Sequence, residues 1–190
     1  MSTKRKGLLT VLVVGLLGSL AGLGVFAAFS STTSNTGNSF AAGSVFIGDN
    51  DAGAALYNVS NQKPGVTTEK CIKVTYTGTL DANVRIYASA VAAGGQYVDL
   101  NVTSGTGDVF SCSDFAPDVS SPTVYNGTLK NFADTYTNYA TGLADNPLAA
   151  TKWVANDAVT YRFRVNIQDN DLAQGATTGT HSFTWETRNQ

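Results

Sequence analysis

The chain has 190 residues, a net charge of −2 at pH 7 and only 14% charged residues. This length is enough for one domain with a sizeable hydrophobic core. Nucleic acid is excluded as an expected partner, because a weakly acidic chain offers few cations to neutralise phosphates.

The first 27 residues predict a signal peptide. Three basic residues come first, and an apolar run follows over residues 7–23. Val25 and Ala27 supply small side chains at the −3 and −1 positions of a signal peptidase site, which predicts cleavage before Ala28. The alternative is an uncleaved membrane anchor, because the extended apolar run is long enough to span a bilayer.

Cleavage would remove three of the 12 basic residues and none of the 14 acidic ones, so the mature charge becomes −5. The expected product is secreted and extracellular. A signal peptidase is its expected partner during export. Contact with a membrane is expected only through the precursor's signal segment, and no cofactor is predicted.

The two cysteines, Cys71 and Cys112, predict a disulfide, because export brings them into an oxidising compartment. On the chain-entropy model, closing a loop of this length stabilises a fold by about 4 kcal/mol. A metal site is the weaker alternative, because two isolated thiols and the single histidine, His181, do not match zinc-ligand spacing. We interpret His181 as a structural or exposed residue rather than a catalytic one.

Alternation of apolar and polar residues predicts half-buried strands. The longest example aligns Val159, Tyr161, Phe163, Val165 and Ile167 on one face. Similar alternation covers residues 72–76, 84–88, 98–102 and 183–185, and turns rich in Gly and Pro separate these segments. The pattern predicts an all-β domain over residues 40–190, an antiparallel jelly roll or β-sandwich.

Cys71 lies on the opposite face of its predicted strand from Ile72, Val74 and Tyr76. Two explanations are open. The disulfide lies on the outer face of the sheet, or a β-bulge turns the cysteine inward.

One long connection predicts a short helix instead of a strand. Leu129, Phe132, Tyr136 and Tyr139 follow helical spacing, with Thr128 as a candidate N-cap and Gly142 as a candidate stop. We expect this helix to cover one edge or mouth of the sandwich.

Two Asp-Asn-Asp runs are candidate calcium ligands, since clustered oxygens suit calcium. They contribute Asp49 and Asp51 in one run and Asp169 and Asp171 in the other. The alternative is that Asp and Asn here make turns.

Three short stretches carry a family resemblance: residues 26–29 (FAAF), 40–44 (FAAGS) and 58–65 (NVSNQKPG). In order and spacing they resemble the TasA/camelysin family of secreted bacterial proteins. The resemblance covers the N-terminal half well and the final strand moderately, and covers residues 94–155 poorly.

The resemblance implies a jelly-roll sandwich, processing by a SipW-type signal peptidase, and a role as a subunit of an extracellular matrix, biofilm or cell-surface fibre. The camelysin name adds a secreted metallo-endopeptidase as an alternative. However, no zinc motif can be carried over, and we predict no catalytic residue and no enzymatic activity. A carbohydrate-binding or adhesin module is a third possibility, for which the candidate sugar platform is Tyr57, Tyr87, Trp153 and Tyr161.

Residues 28–39 predict a polar N-terminal arm that is too poor in apolar residues to form its own core. Thr32 and Thr33 suit strand geometry, and Phe29 is a candidate side-chain anchor. We expect the arm, from Ala28 onward, to add as a strand to an open sheet edge of the next subunit, giving a head-to-tail homopolymer. The alternative is an N-terminus without fixed structure.

Overall fold

The computed structural model describes residues 41–120, 122–147 and 150–189. Residues from Ala42 to the C-terminus form one compact unit. The predicted signal segment, its cleavage site and the arm of residues 28–39 lie outside the described residues. Among the helices that are described, none has the length and apolar character needed to cross a bilayer.

The described residues contain nine strands in two antiparallel sheets. The strands are β1 (Ile47–Asp49), β2 (Thr67–Tyr76), β3 (Ala82–Ala88), β4 (Val98–Thr106), β5 (Ala116–Pro117), β6 (Thr123–Thr128), β7 (Leu143–Ala144), β8 (Ala158–Ile167) and β9 (Phe183–Asn189). The larger sheet has the order β1-β2-β8-β4, and the far edge of β4 pairs with both β6 and β5. The smaller sheet has the order β7-β3-β9. The prediction of an all-β, antiparallel domain is confirmed.

The inward-facing residues of the two sheets meet in one hydrophobic core. The ring centroids of Tyr161 on β8 and Trp185 on β9 are 5.5 Å apart. Those of Phe163 and Phe183 are 4.7 Å apart. These aromatic pairs, drawn from different sheets, hold the sandwich together through buried apolar area.

Strand β8 is the central strand of the larger sheet, and the alternation of its residues matches its two faces. Its inward residues Val159, Tyr161 and Phe163 are buried, as the sequence pattern predicted. Its outward Arg164 forms an ion pair with Glu69 of β2, with 3.1 Å between Nε and Oε2. One face is therefore fixed by burial and the other by polar contacts.

A short helix, α1 (Leu129–Thr135), lies in the connection after β6, and its N-cap is Thr128 as predicted. The Thr128 hydroxyl accepts a hydrogen bond from the Asn131 N–H at 3.2 Å. The helix ends seven residues before the predicted stop at Gly142, so the prediction that Tyr139 lies in the helix is wrong. The cause is that the Tyr136 carbonyl accepts a hydrogen bond from Ala88 of β3, which takes it away from the helical ladder.

Cys71 is bonded to Cys112 on the outer face of the larger sheet. The pairing of β2 with β8 has no register shift, so no bulge turns the cysteine inward. Cys71 is nevertheless buried, because the disulfide loop, residues 107–115, covers this face. In that loop the ring of Phe115 lies 4.6 Å from the Arg162 guanidinium carbon. The outer-face explanation is therefore the correct one.

Candidate functional site

Strand β9 is an edge strand of the smaller sheet, since among the described residues it pairs only with β3. The Ser89 N–H donates to the Ser182 carbonyl, which continues the register of the β3–β9 pairing by one residue pair. Because antiparallel hydrogen bonding alternates, the backbone groups of Phe183, Trp185 and Thr187 point away from β3. They form an open edge of hydrogen-bond donors and acceptors.

A groove with a volume of about 1110 Å³ lies between the two sheets on this side of the sandwich. Phe183 and Trp185 of β9 line one wall, and Ile72 and Val74 of β2 line another. The side chains of Phe183 and Trp185 are half-buried. The open edge of β9 therefore borders a depression lined by both apolar and polar residues, in which two aromatic rings are not fully covered.

The edge of β2 is less accessible than that of β9. Strand β1 pairs with β2 only along residues 74–76. Further along, the Cys71 N–H donates to the Phe110 carbonyl and the Lys73 N–H donates to the Asn50 side chain. The two successive N–H groups that point outward from this edge therefore already have acceptors. They are not available to pair with a strand from another chain.

The groove is covered in part by the connection between β1 and β2. We call residues 54–66 of this connection the strap. The strap forms no helix or strand, and its residues Leu56 and Tyr57 pack against the core. The Tyr57 hydroxyl lies 2.7 Å from Nε2 of His181, just before β9 begins.

His181 and Tyr57 have a defined chemical relationship. Nδ1 of His181 lies 3.0 Å from the Gly179 carbonyl, which can only accept, so Nδ1 carries the proton. Nε2 therefore accepts from the Tyr57 hydroxyl. Burial raises the pKa of Tyr57 above its usual value, so this hydroxyl stays protonated and acts as a donor.

A second group of polar atoms is enclosed in the core. The side-chain atoms Asp145 Oδ2, Tyr161 Oη and Trp185 Nε1 are buried, and none has a hydrogen-bond partner within the described part of the chain. Burial raises the pKa of Asp145 to about 6. Because the atoms are enclosed, a ligand in solvent cannot reach them, and their burial without a partner among the described residues costs folding free energy.

The candidate calcium residues make turns in the structure. Asp49 Oδ1 accepts from the Asp51 N–H, and Asp51 Oδ1 accepts from the Gly53 N–H. In the second run, Asn170 caps a 3₁₀ turn that begins at Asp171. The described residues hold no group of three or more His, Cys, Asp or Glu side chains suited to a metal ion. Calcium binding at Asp49, Asp51, Asp169 and Asp171 stays a prediction.

The four aromatic residues of the candidate sugar platform are not brought together on a surface. Trp153 and Tyr161 are fully buried. The Tyr87 hydroxyl bonds to Glu186 on the outer face of the smaller sheet, whereas Tyr57 lines the groove. A sugar at the surface cannot contact the first two, so this set does not form a platform.

Residues 2–94 match the model of the camelysin metallo-endopeptidase family. The resemblance to the camelysin family is confirmed over these residues. The camelysin match includes β1, the strap, β2 and β3 but ends before β9. No curated protein matches the chain.

The side chains present do not fit the zinc site that the camelysin family's description implies. Both cysteines are held in the disulfide, and both nitrogens of the one histidine in the sequence have protein partners. The residues outside the described ranges contain no His, Cys, Asp or Glu. A catalytic zinc needs three protein ligands from these types, and no such set is assembled.

Sequence reasoning missed both the location of the open edge and the contact between Tyr57 and His181. Alternation predicted β9 as a strand but carries no information about its partners. The contact joins residues 124 apart in the chain, and nothing in the spacing of one tyrosine and one histidine indicates it.

Proposed function

We propose that this protein is an exported, non-enzymatic structural subunit of an extracellular matrix, biofilm or cell-surface fibre. Each subunit would donate its N-terminal arm, residues 28–39, to the next. The observation that carries the proposal is the open edge of β9 beside a groove in which Phe183 and Trp185 are half-buried. Such an edge is a template for a strand from another chain.

The length and charge of the arm suit this edge. Strand β9 has seven residues and is about 23 Å long at the usual rise per residue. The 12 residues from Ala28 to Ser39 can span it, and none of them is charged. The ionisable side chains in the groove lining are few, namely Asp49, Asp51, His181 and Tyr57, so an uncharged arm meets little unpaired charge.

Apolar contacts would add to the binding free energy that the arm gains from backbone hydrogen bonds. Phe183 and Trp185 keep part of their surface exposed in the groove. A strand laid along β9 would cover these rings, and Phe29 of the arm would add an aromatic anchor. Burial of aromatic area on both partners is typical of the residues that dominate binding energy.

Donation by an N-terminal arm also links assembly to export. While the signal segment is attached, the arm is tethered beside the membrane. A signal peptidase that cuts before Ala28 would free the arm outside the cell, where it can reach another subunit. Because the donated arm and the acceptor groove are different surfaces, the contact is head to tail and can propagate as a filament.

Removal of the arm tests this proposal. A protein that begins at Ala28 is expected to form filaments with rising concentration, visible by electron microscopy and sedimentation. A protein that begins at Ser39 is expected to keep its circular dichroism spectrum and its disulfide but to stay monomeric. Identical filaments from both proteins, or none from either while both remain folded, would overturn arm donation.

A metallo-endopeptidase is the second candidate, and only the description of the matching family favours it. Purified protein can be incubated with zinc, dialysed and analysed for bound metal, then assayed on an unfolded protein substrate. We expect no stoichiometric zinc and no cleavage. Cleavage that copurifies with the folded protein and that a chelator abolishes would favour the peptidase instead.

A further inference from the structure

The strap, residues 54–66, is weakly attached to the rest of the domain. Leu56, Tyr57 and Gln62 are half-buried, whereas the other residues of the strap are exposed. Its local hydrogen bonds are confined to turns, such as the one from Gln62 to the Val66 carbonyl. Within the described residues, the bond between Tyr57 and His181 is the only one that joins the strap to another element. Opening the strap would therefore break one hydrogen bond to the rest of the domain and expose the half-buried side chains of Leu56 and Tyr57.

The ends of the strap are fixed, so it opens as a loop rather than leaving the domain. Before it, Asn50 accepts from the Lys73 N–H at 2.8 Å and donates to the Asp108 carbonyl at 2.9 Å. After it, the chain enters β2 at Thr67. Opening would therefore displace the segment between these two ends, which includes Tyr57.

The bond between Tyr57 and His181 lies at the entrance to the β9 edge. His181 is two residues before the start of β9, and both Tyr57 and His181 line the groove. The ring centroids of His181 and Phe183 are 6.0 Å apart, so a strand that pairs with the open edge at Phe183 would approach this contact. A donated strand and the strap would therefore compete for the space beside Phe183.

We propose that the strap is a lid over the groove, held closed by the hydrogen bond from Tyr57 to His181, which must open before a donated strand enters. The inference rests on the proposed function, because it assigns a regulation to the acceptor groove. It predicts that assembly is slow while the latch is intact. Breaking the latch raises the population of open domains, and the apparent affinity for the arm rises in proportion.

The substitution Tyr57→Phe tests the lid, because it removes the hydroxyl and keeps the ring. The matched control is Tyr87→Phe, which removes a hydroxyl bonded to Glu186 on the outer face of the smaller sheet. His181→Phe is a second variant that breaks the latch from the other side. All are purified after expression of the full precursor, and a thermal unfolding midpoint confirms that each is folded.

Two measurements are made on each protein. The first is the initial rate of chymotrypsin cleavage within residues 54–66, read by mass spectrometry, which reports opening of the strap whether or not filaments form. The second is the rate of filament growth from preformed seeds, together with binding of a synthetic peptide of residues 28–39. Loss of one hydrogen bond should raise both the cleavage rate and the growth rate about fivefold in Tyr57→Phe, and leave Tyr87→Phe near wild type.

The outcomes separate the lid from the proposed function. If wild type assembles or binds the peptide, but Tyr57→Phe and His181→Phe match Tyr87→Phe in both measurements, the latch is refuted and arm donation stands. If cleavage accelerates while growth and peptide binding do not, the strap opens but is not a lid. If no protein assembles or binds the peptide, arm donation and the lid are both refuted.

Discussion

Cys71, near the middle of β2, is bonded to Cys112 across 41 residues of chain, with their Cα atoms 5.1 Å apart. The bond holds the disulfide loop against the outer face of the larger sheet. The Cys71 N–H also donates to the Phe110 carbonyl at 3.0 Å. The loop therefore covers one face of β2 and blocks part of its edge.

Replacing both cysteines by alanine is expected to lower the free energy of unfolding by about 2–5 kcal/mol, because the unfolded chain loses its cross-link. Urea unfolding midpoints of the variant and of wild type measure this. Alkylation of the native, non-reduced protein should find no free thiol. Equal midpoints, or two reactive thiols in wild type, would contradict the assignment.

Ionisation of Asp145 is expected to lower the free energy of unfolding as the pH rises. Its pKa in the folded protein is raised to about 6, mainly by burial, above the usual value for an aspartate. The folded state thus binds this proton more tightly than the unfolded state, so the stabilisation is present below pH 4 and is lost as pH rises through about 6.

The variant Asp145→Asn cannot titrate at this position. Relative to wild type, it should gain about 1–3 kcal/mol of unfolding free energy between pH 4 and pH 7. Urea unfolding at several pH values measures the difference in unfolding free energy between the variant and wild type. The contributions of other carboxyl groups cancel in this difference. A difference that does not change with pH would show that Asp145 is not the responsible group.

In the arm, Phe29→Ala is expected to slow filament formation at least about fivefold, since a buried aromatic anchor is typically worth more than about 1 kcal/mol in binding. The thermal midpoint is expected to be unchanged, because the proposal gives Phe29 its contact on the neighbouring subunit. Ser30→Ala is the matched control, and seeded growth is the measurement. Equal effects of the two substitutions would argue against an anchor at Phe29.

Processing is expected to produce an N-terminus at Ala28. Val25 and Ala27 present small side chains to the peptidase. Intact-mass analysis of the culture supernatant measures the mature mass directly. A cell-bound protein of full precursor mass would indicate a membrane anchor instead.

The sequence predicted the parts of the fold that local patterns determine. Alternation identified β8 and β9, and the Thr128 cap marked the start of α1. The end of α1 was missed because it depends on a hydrogen bond to Ala88, a residue distant in sequence. The sequence did not decide whether Cys71 lies on the outer face for the same reason, because no pattern within β2 shows which loop covers it.

From the sequence, only the existence of an acceptor edge could be predicted, and not its location. The uncharged arm with Phe29 suggested that an acceptor edge should exist, but strand pairing decides which edge is open, and pairing is a long-range property. Tyr57 and His181 show this most clearly. Read singly, one was a candidate sugar contact and the other a structural histidine, and only the folded chain brings them together.

Amide hydrogen exchange at β9 tests the account most directly. The peptide of residues 28–39 is added to the folded protein that begins at Ser39, and exchange is followed residue by residue by NMR. We predict slower exchange at Trp185 and Thr187, whose N–H groups face the open edge, and little change at Thr184 and Glu186, which already face β3. Unchanged exchange at Trp185 and Thr187 with saturating peptide, or protection on another strand instead, would contradict the account.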